Sequence, residues 1–167
     1  MKSLVLALSL LLSIPALAGH EGPEAAPVAR LNPVIAKVVS GSGFVPPTVA
    51  FSTVVQIHAD GQVERLQNFR GGVVKTAQLA YLAPNVTAQI AASAAAVVET
   101  KIEDPSPSDP GCTDAPSTTY YAVQGSKEIV IAQRESCKDM VKANESDADR
   151  ATKRALNAAL ALSSLLP

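Results

Sequence analysis

The 167-residue chain has no tryptophan, only three tyrosines and three phenylalanines, two histidines and two cysteines. Imidazole and thiol groups supply most of the bases, nucleophiles and soft metal ligands in proteins, so their scarcity leaves little material for such sites. Neither sign of charge is in excess, because the chain has 14 Lys and Arg and 15 Asp and Glu. Binding to phosphates requires a surplus of basic residues, and we therefore expect no nucleic-acid partner.

The longest apolar run lies at the N-terminus and has the pattern of an export signal. Lys2 precedes an almost wholly apolar stretch over residues 4–12, which a proline and the small residues Ala16 and Ala18 follow. This order predicts a signal peptide over residues 1–18 with cleavage after Ala18. The run is shorter than the roughly 20 residues that span a bilayer, so we expect no transmembrane segment and a periplasmic or secreted protein.

Cys112 and Cys137 are predicted to form a disulfide bond. An even pair of cysteines in an oxidising compartment is more often bonded than free. Closing a loop of about 26 residues would stabilise the fold by roughly 3 kcal/mol. Neither cysteine has a neighbouring histidine, so the spacing of a zinc site is missing and we predict no metal and no cofactor.

The order of the predicted elements is strand, hairpin, helix, hairpin, helix. This is an α+β pattern, in which an antiparallel sheet of two hairpins, with a crossing helix between them, has helices on one side. The predicted organisation is a flexible leader over residues 19–33, an α+β domain over 34–145 and a C-terminal helix over 146–167.

The first hairpin has the clearest pattern. Apolar residues at every second position predict a strand over residues 48–58. Asp60-Gly61 suits a two-residue turn, which makes residues 62–69 the return strand. That turn length would pair Val55 with Leu66.

Three further segments have weaker patterns. Residues 73–81 fit either an extended stretch or the approach to a helix. Pro84 is well placed at the first position of a helix, whose apolar face is marked by Val86, Ile90, Ala94, Val97 and Val98. The second hairpin is predicted over residues 118–123 and 128–132.

The C-terminal segment predicts an amphipathic helix. Ser146 or Asp147 can accept a hydrogen bond from a free N–H at its start. Spacings of three and four form an apolar stripe of Ala155, Leu156, Ala159, Leu162 and Leu166. The stripe is expected to pack on its own domain, and a surface for another protein is the alternative.

No catalytic set is predicted. His58 lies beside the hairpin turn and is expected to be a solvated residue, with a triad through Ser52 and Asp60 as the alternative. The candidate carboxylates crowd in and beside one proline-rich loop that is expected to be solvated, with weak Ca²⁺ binding as the alternative; they are Glu99, Glu103, Asp104, Asp109 and Asp114.

Two resemblances bear on the fold. The run Gly43-Phe44-Val45-Pro46-Pro47, the turn at Asp60-Gly61-Gln62-Val63 and the segment 113–119 before a hairpin resemble a group of small exported bacterial domains of unassigned function. That resemblance covers roughly residues 40–135 and implies a fold but no activity.

The order of strand pair, helix, cysteine, hairpin and closing cysteine is also similar to that of subtilisin-inhibitor-like proteins. The likeness implies a protease-binding loop directly after Cys112, at Thr113, Asp114 and Ala115. This chain departs from that family in having no second disulfide.

We therefore expect an exported binding or structural protein of the bacterial envelope that is not an enzyme. Its partner would be an unidentified protein or envelope component. A secreted serine-protease inhibitor is the first alternative, and a hydrolase without a recognised motif is the second.

Overall fold

The computed structural model describes residues 32–41, 50–69, 72–104, 115–135 and 137–165. The strands and helices in these ranges are β1 (Val34–Gly41), β2 (Ala50–His58), β3 (Gln62–Phe69), β4 (Val74–Tyr81), α1 (Pro84–Ala96), β5 (Ile102–Glu103), β6 (Thr118–Gln124), β7 (Lys127–Glu135), β8 (Lys138–Lys142) and α2 (Asp147–Ser163). The predicted signal peptide and most of the predicted leader lie outside the described residues. In the described ranges, neither helix is long and apolar enough to cross a membrane.

The strands form one antiparallel sheet in the order β4-β3-β2-β1-β6-β7-β8-β5. β1 joins its two halves, since it pairs with β2 on one side and with β6 on the other. The chain therefore builds two meanders, β1 to β4 and β6 to β8, each followed by a helix. The α+β class is confirmed, but the description as two hairpins is not, because β4, β5 and β8 extend the sheet.

The strands that the sequence did not reveal have little apolar periodicity. β8 has the sequence KDMVK, with a charge at three of its five positions. β5 has only two residues, too few for a pattern. β4, for which the sequence fits either a strand or the approach to a helix, has five of its eight residues exposed. Their pairing with β3, β7 and β8 places them in the sheet.

The turn between β2 and β3 has three residues, 59–61, rather than the predicted two. The Gly61 N–H donates to a carbonyl oxygen at the end of β2 over 2.9 Å, and Gly61 has a φ of +89°. A turn that ends in a left-handed glycine lengthens the loop by one residue. As a result Val55 pairs with Arg65, and the predicted pairing with Leu66 is wrong by one position.

Gly61 also lies against the segment that enters α1. A Cβ atom at this position would lie 2.7 Å from the Thr87 Oγ1 atom and 2.8 Å from the Leu82 carbonyl oxygen. The Leu82 N–H donates to the Gly61 carbonyl oxygen over 2.8 Å. Glycine therefore serves both the turn conformation and the close approach of α1.

Helix α1 begins at Pro84, as predicted. The proline lacks an N–H at a position where no intrahelical partner exists for one. Ala94 and Val97 are buried, whereas Val98 is 68% exposed. The helix ends at Ala96 and the chain becomes extended, so the prediction of Val98 on the buried face is wrong.

Helix α2 begins with a reciprocal cap. The Ser146 hydroxyl oxygen accepts a hydrogen bond from the Asp149 N–H over 3.1 Å, and the Asp149 carboxylate accepts from the Ser146 N–H over 2.9 Å. The prediction of a cap at Ser146 is confirmed. Leu156 and Ala159 are buried against β1 and β2, and Ala155 packs beside them, so this part of the stripe packs on its own domain. Leu166 lies outside the described residues.

The core lies between the helices and one face of the sheet. One cluster contains Leu156 of α2 with Val38 and Ile57 of the central strands. A second cluster contains Ala94 of α1 with Ala122 and Ile131 of the other half of the sheet. Because Ala36 pairs with Ala122, both clusters lie on the same face.

Candidate functional site

The two faces of the sheet differ in what covers them. Val38, Val55 and Val63 point towards the helices in the core. Side chains alternate along a strand, so the intervening residues point to the opposite face, which we call the second face. Both described helices lie on the first face, and within the described ranges no helix packs on the second.

A row of polar side chains crosses the second face on four adjacent strands. Glu64 of β3 pairs with Gln56 of β2, which pairs with Lys37 of β1, which in turn pairs with Tyr121 of β6. We call these four residues the polar row. Directly opposite residues on antiparallel strands lie close enough to interact, so the row forms one continuous surface.

An apolar row runs beside it on the same face. Leu66 pairs with Val54, and Val54 pairs with Val39. All three are half-buried. The second face therefore combines a hydrogen-bonding strip with a parallel aliphatic strip.

His58 lies at one end of the polar row. Its Nδ1 atom is 3.1 Å from the Asn32 carbonyl oxygen. A carbonyl can only accept, so Nδ1 carries a proton and in the neutral ring Nε2 is an acceptor. Nε2 lies 3.4 Å from the Glu64 carboxylate, and the Gln56 Nε2 atom lies 3.2 Å from the imidazole and 2.9 Å from that carboxylate. One amide group therefore bridges two acceptors.

The prediction that His58 is a solvated turn residue is wrong, because it is only 5% exposed. Residues 32–33, directly before β1, lie alongside it, and the Ala59 N–H donates to the Pro33 carbonyl oxygen over 2.9 Å. The sequence pattern of the hairpin alone contains no sign of this pairing, since it depends on residues more than 20 positions away.

The alternative triad is not assembled. The Ser52 hydroxyl accepts a hydrogen bond from the Asn68 amide over 3.0 Å. The Asp60 carboxylate accepts from the Gln62 N–H and from the Asn32 amide, and the Gln62 N–H lowers its pKa. Within the described residues, neither group hydrogen-bonds to the imidazole.

Gln62 adds an unusual polar group to this end of the face. It follows the turn, and the pairing of Ile57 with Val63 places it beside His58. Gln62 is 1% exposed, yet its Nε2 atom has no hydrogen-bond partner among the residues that the structure describes. A buried polar group without a partner costs roughly 1–3 kcal/mol, so this amide marks a candidate functional site.

The other end of the polar row carries a charged pair over an aromatic ring. The Lys37 ammonium lies 2.6 Å from the Glu128 carboxylate and 5.1 Å from the centre of the Tyr121 ring. The Lys37 side chain is 21% exposed. The face thus presents a cation, carboxylates, amides and a ring in one band.

The acidic residues of the predicted loop do not form a site where the structure describes them. Glu99 lies 2.7 Å from Lys127, and its pKa is lowered by this ammonium. Asp104 lies 2.8 Å from Lys138. The described residues contain no group of three or more histidine, cysteine, aspartate or glutamate side chains that could hold a metal ion. Asp109 and Asp114 lie outside them.

The predicted interaction loop and the disulfide fall largely outside the described residues. Thr113, Asp114 and Cys112 are not described, and Ala115 is half-buried where the chain approaches β6. Cys137 lies in the turn between β7 and β8 with a φ of +65°. No free cysteine occurs among the described residues, and the pairing of Cys112 with Cys137 stays a prediction.

A second buried polar group, which the sequence did not reveal, lies under the helices. The Lys142 ammonium donates to the Asp149 carboxylate over 2.7 Å and to the Val98 carbonyl oxygen over 2.6 Å. Burial opposes ionisation of Asp149, but hydrogen bonds from Lys142 and Ser146 outweigh it and lower the pKa of the carboxyl. The spacing of Ser146 and Asp149 indicates a cap, but only the fold reveals Lys142.

A groove of about 310 Å³ lies between the β2–β3 turn and α1. Its lining is formed by Ala59, Asp60, Pro84, Thr87, Ala88 and Ala91. The one charged group, Asp60, already has both carboxylate oxygens in hydrogen bonds. The polar row with His58 and Gln62 is therefore the better candidate for a functional site.

Comparison with protein-family models and with curated proteins finds no match to this chain. Its function must therefore be argued from the geometry of the second face.

Proposed function

We propose that this protein is exported to the bacterial envelope and works there as a binding protein without catalytic activity, using the second face of its sheet. The observation that carries the proposal is the buried polar group at one end of the polar row. Gln62 is almost fully buried there with an unpartnered Nε2 atom.

The chemistry of the face suits a partner with both polar and apolar parts. The polar row offers hydrogen-bond donors and acceptors and includes one positive and one negative side chain. The apolar row beside it offers aliphatic surface. A strip that mixes neutral and charged groups favours a partner that is bound through directional hydrogen bonds over one that is attracted by charge at long range. A protein segment or another extended envelope component fits this description.

Catalysis is a poorer account of the same residues. An imidazole can serve as a base, but a nucleophile must lie within hydrogen-bond reach of its base. Within the described residues, the contacts of His58 are Asn32, Gln56 and Glu64. The inhibitor hypothesis depends on Thr113 and Asp114, which lie outside those residues, so no structural observation favours it.

A photo-reactive amino acid incorporated at single positions tests the proposal in living cells. Tyr121 on the second face and Arg154, which is exposed on α2, are the matched positions. We expect a cross-linked product from Tyr121 and none from Arg154, in protein whose N-terminus is Gly19 after export.

The mass of the product, after proteolysis, distinguishes a protein partner from another envelope component. Replacing Lys37 with alanine in the protein that carries the photo-reactive residue at position 121 should reduce the yield, because this ammonium belongs to the polar row and lies beside that position. Equal yields from the two positions, or no product from Tyr121, would contradict the proposal.

A further inference from the structure

Exposed apolar side chains concentrate at one edge of the sheet. Among the described residues, five large hydrophobic side chains are more than half exposed. Three of them lie on β4 or directly before it: Val73 at 57%, Val74 at 52% and Tyr81 at 61%. β4 is an outermost strand of the sheet, so among the described residues no strand pairs with its outer edge.

The outer edge of β4 has only light protection against strand pairing. Edge strands are normally protected by charges, proline or a bulge. β4 has eight residues without proline, and Lys75 is its single charge. The Lys75 ammonium lies 5.2 Å from the centre of the Phe69 ring, which ties it to the neighbouring strand. A register shift between Val63 and Glu64 of β3 marks the one irregularity of the pair.

The strand is complementary to itself in an antiparallel arrangement. Val74 pairs with Asn68 and Tyr81 pairs with Gln62, so both point to the second face from opposite ends of β4. A two-fold axis through the middle of the strand would bring Val74 of each copy beside Tyr81 of the other. Lys75 would lie opposite Ala80, and no like charges would meet.

We propose that β4 is a dimerisation edge, at which a second copy of this chain pairs antiparallel to form a continuous sheet. Self-pairing favours the second copy over an unrelated strand, because it covers the apolar side chains at both ends of β4 at once. Symmetry makes each contact occur twice. The second faces of the two copies would then form one surface.

Light scattering during size-exclusion chromatography of the exported full-length protein, over a range of concentrations, tests this inference. Wild-type protein should elute with twice the mass of one chain at the upper concentrations. The double variant Val74→Glu with Tyr81→Glu places like charges opposite each other and should weaken association by about tenfold or more. The double variant Val74→Lys with Tyr81→Glu places opposite charges together and should keep the dimer.

Val98→Glu and Leu165→Glu are the matched controls, since these side chains are 68% and 76% exposed elsewhere on the molecule. Both should dimerise like the wild type. Circular dichroism should show the same fold in all variants, because every changed side chain is exposed. A wild-type protein that stays monomeric at every concentration would overturn the inference, as would a dimer that survives Val74→Glu with Tyr81→Glu.

Discussion

Two buried polar clusters lie on opposite sides of this sheet, and they are built differently. Lys142 of β8 and Asp149 of α2 lie on the helical side with side chains 1% and 3% exposed. The Lys142 ammonium donates to the Asp149 carboxylate and to the Val98 carbonyl oxygen, so it joins β8 to the start of α2 and to the segment after α1. His58 and Glu64 on the second face are also buried, but Gln62 beside them keeps an unpartnered amide.

The Lys142–Asp149 pair stabilises the fold, whereas the unpartnered Gln62 amide destabilises it. A buried ion pair whose charged groups are hydrogen-bonded to each other and to their neighbours links three elements in one arrangement. An incomplete cluster costs stability, and natural proteins retain such groups mainly where function requires them. The comparison predicts opposite responses when one member of each cluster is made apolar.

The largest effect is expected from Lys142→Met. The change leaves Asp149 buried without its cation and the Val98 carbonyl without its donor, which should cost about 3–5 kcal/mol of unfolding free energy. Denaturant titration followed by circular dichroism measures it.

Lys127→Met is the matched control for this variant. Lys127 pairs with Glu99 at the surface, where both side chains are more than half exposed, so its loss should cost less than about 1 kcal/mol. Equal losses in the two variants would show that the buried pair does not hold α1, β8 and α2 together.

A smaller effect is expected from acid. The pKa of Asp149 is lowered from its ordinary value of 3.8 in the folded protein. A lowered pKa stabilises the fold above the unfolded value, and the contribution is lost as the pH falls through the folded value. The unfolding free energy should therefore decline below about pH 4.

Asp149→Asn removes this titrating group. The variant is less stable than the wild type at neutral pH. Below about pH 4 its unfolding free energy should fall less steeply than that of the wild type, because each proton bound on unfolding contributes about 1.4 kcal/mol per pH unit. Parallel slopes in the two proteins would contradict the assignment.

The helices and the first hairpin could be predicted because their determinants are local. Pro84 starts α1 through its own missing N–H, and Ser146 caps α2 through a residue three positions away. The register of the hairpin was wrong by one, because Asp60-Gly61 fits both a two-residue turn and a three-residue turn that ends in a left-handed glycine. β8 was not predicted, because its charged residues leave no apolar alternation. Its place in the sheet depends on pairing with β7.

The candidate site could not be predicted, because its parts meet only through sheet register. Lys37, Gln56 and Glu64 come from three strands and have no motif in common. The hairpin alone predicts a solvated His58, yet the Asn32 carbonyl oxygen lies beside the ring and places a proton on its Nδ1 atom. Residues that are ordinary within their own segments acquire their role from neighbours across the sheet.

The central claim is that the Gln62 cluster is kept at a cost to stability, and Gln62→Met tests it most directly. Removing an unpartnered buried amide while keeping the shape of the side chain should raise the unfolding free energy by about 1 kcal/mol. Gln56→Met is the control on the same face. Its amide bridges His58 and Glu64, so that variant should lose about 1–2 kcal/mol. An unfolding free energy of Gln62→Met at or below the wild-type value would contradict the account.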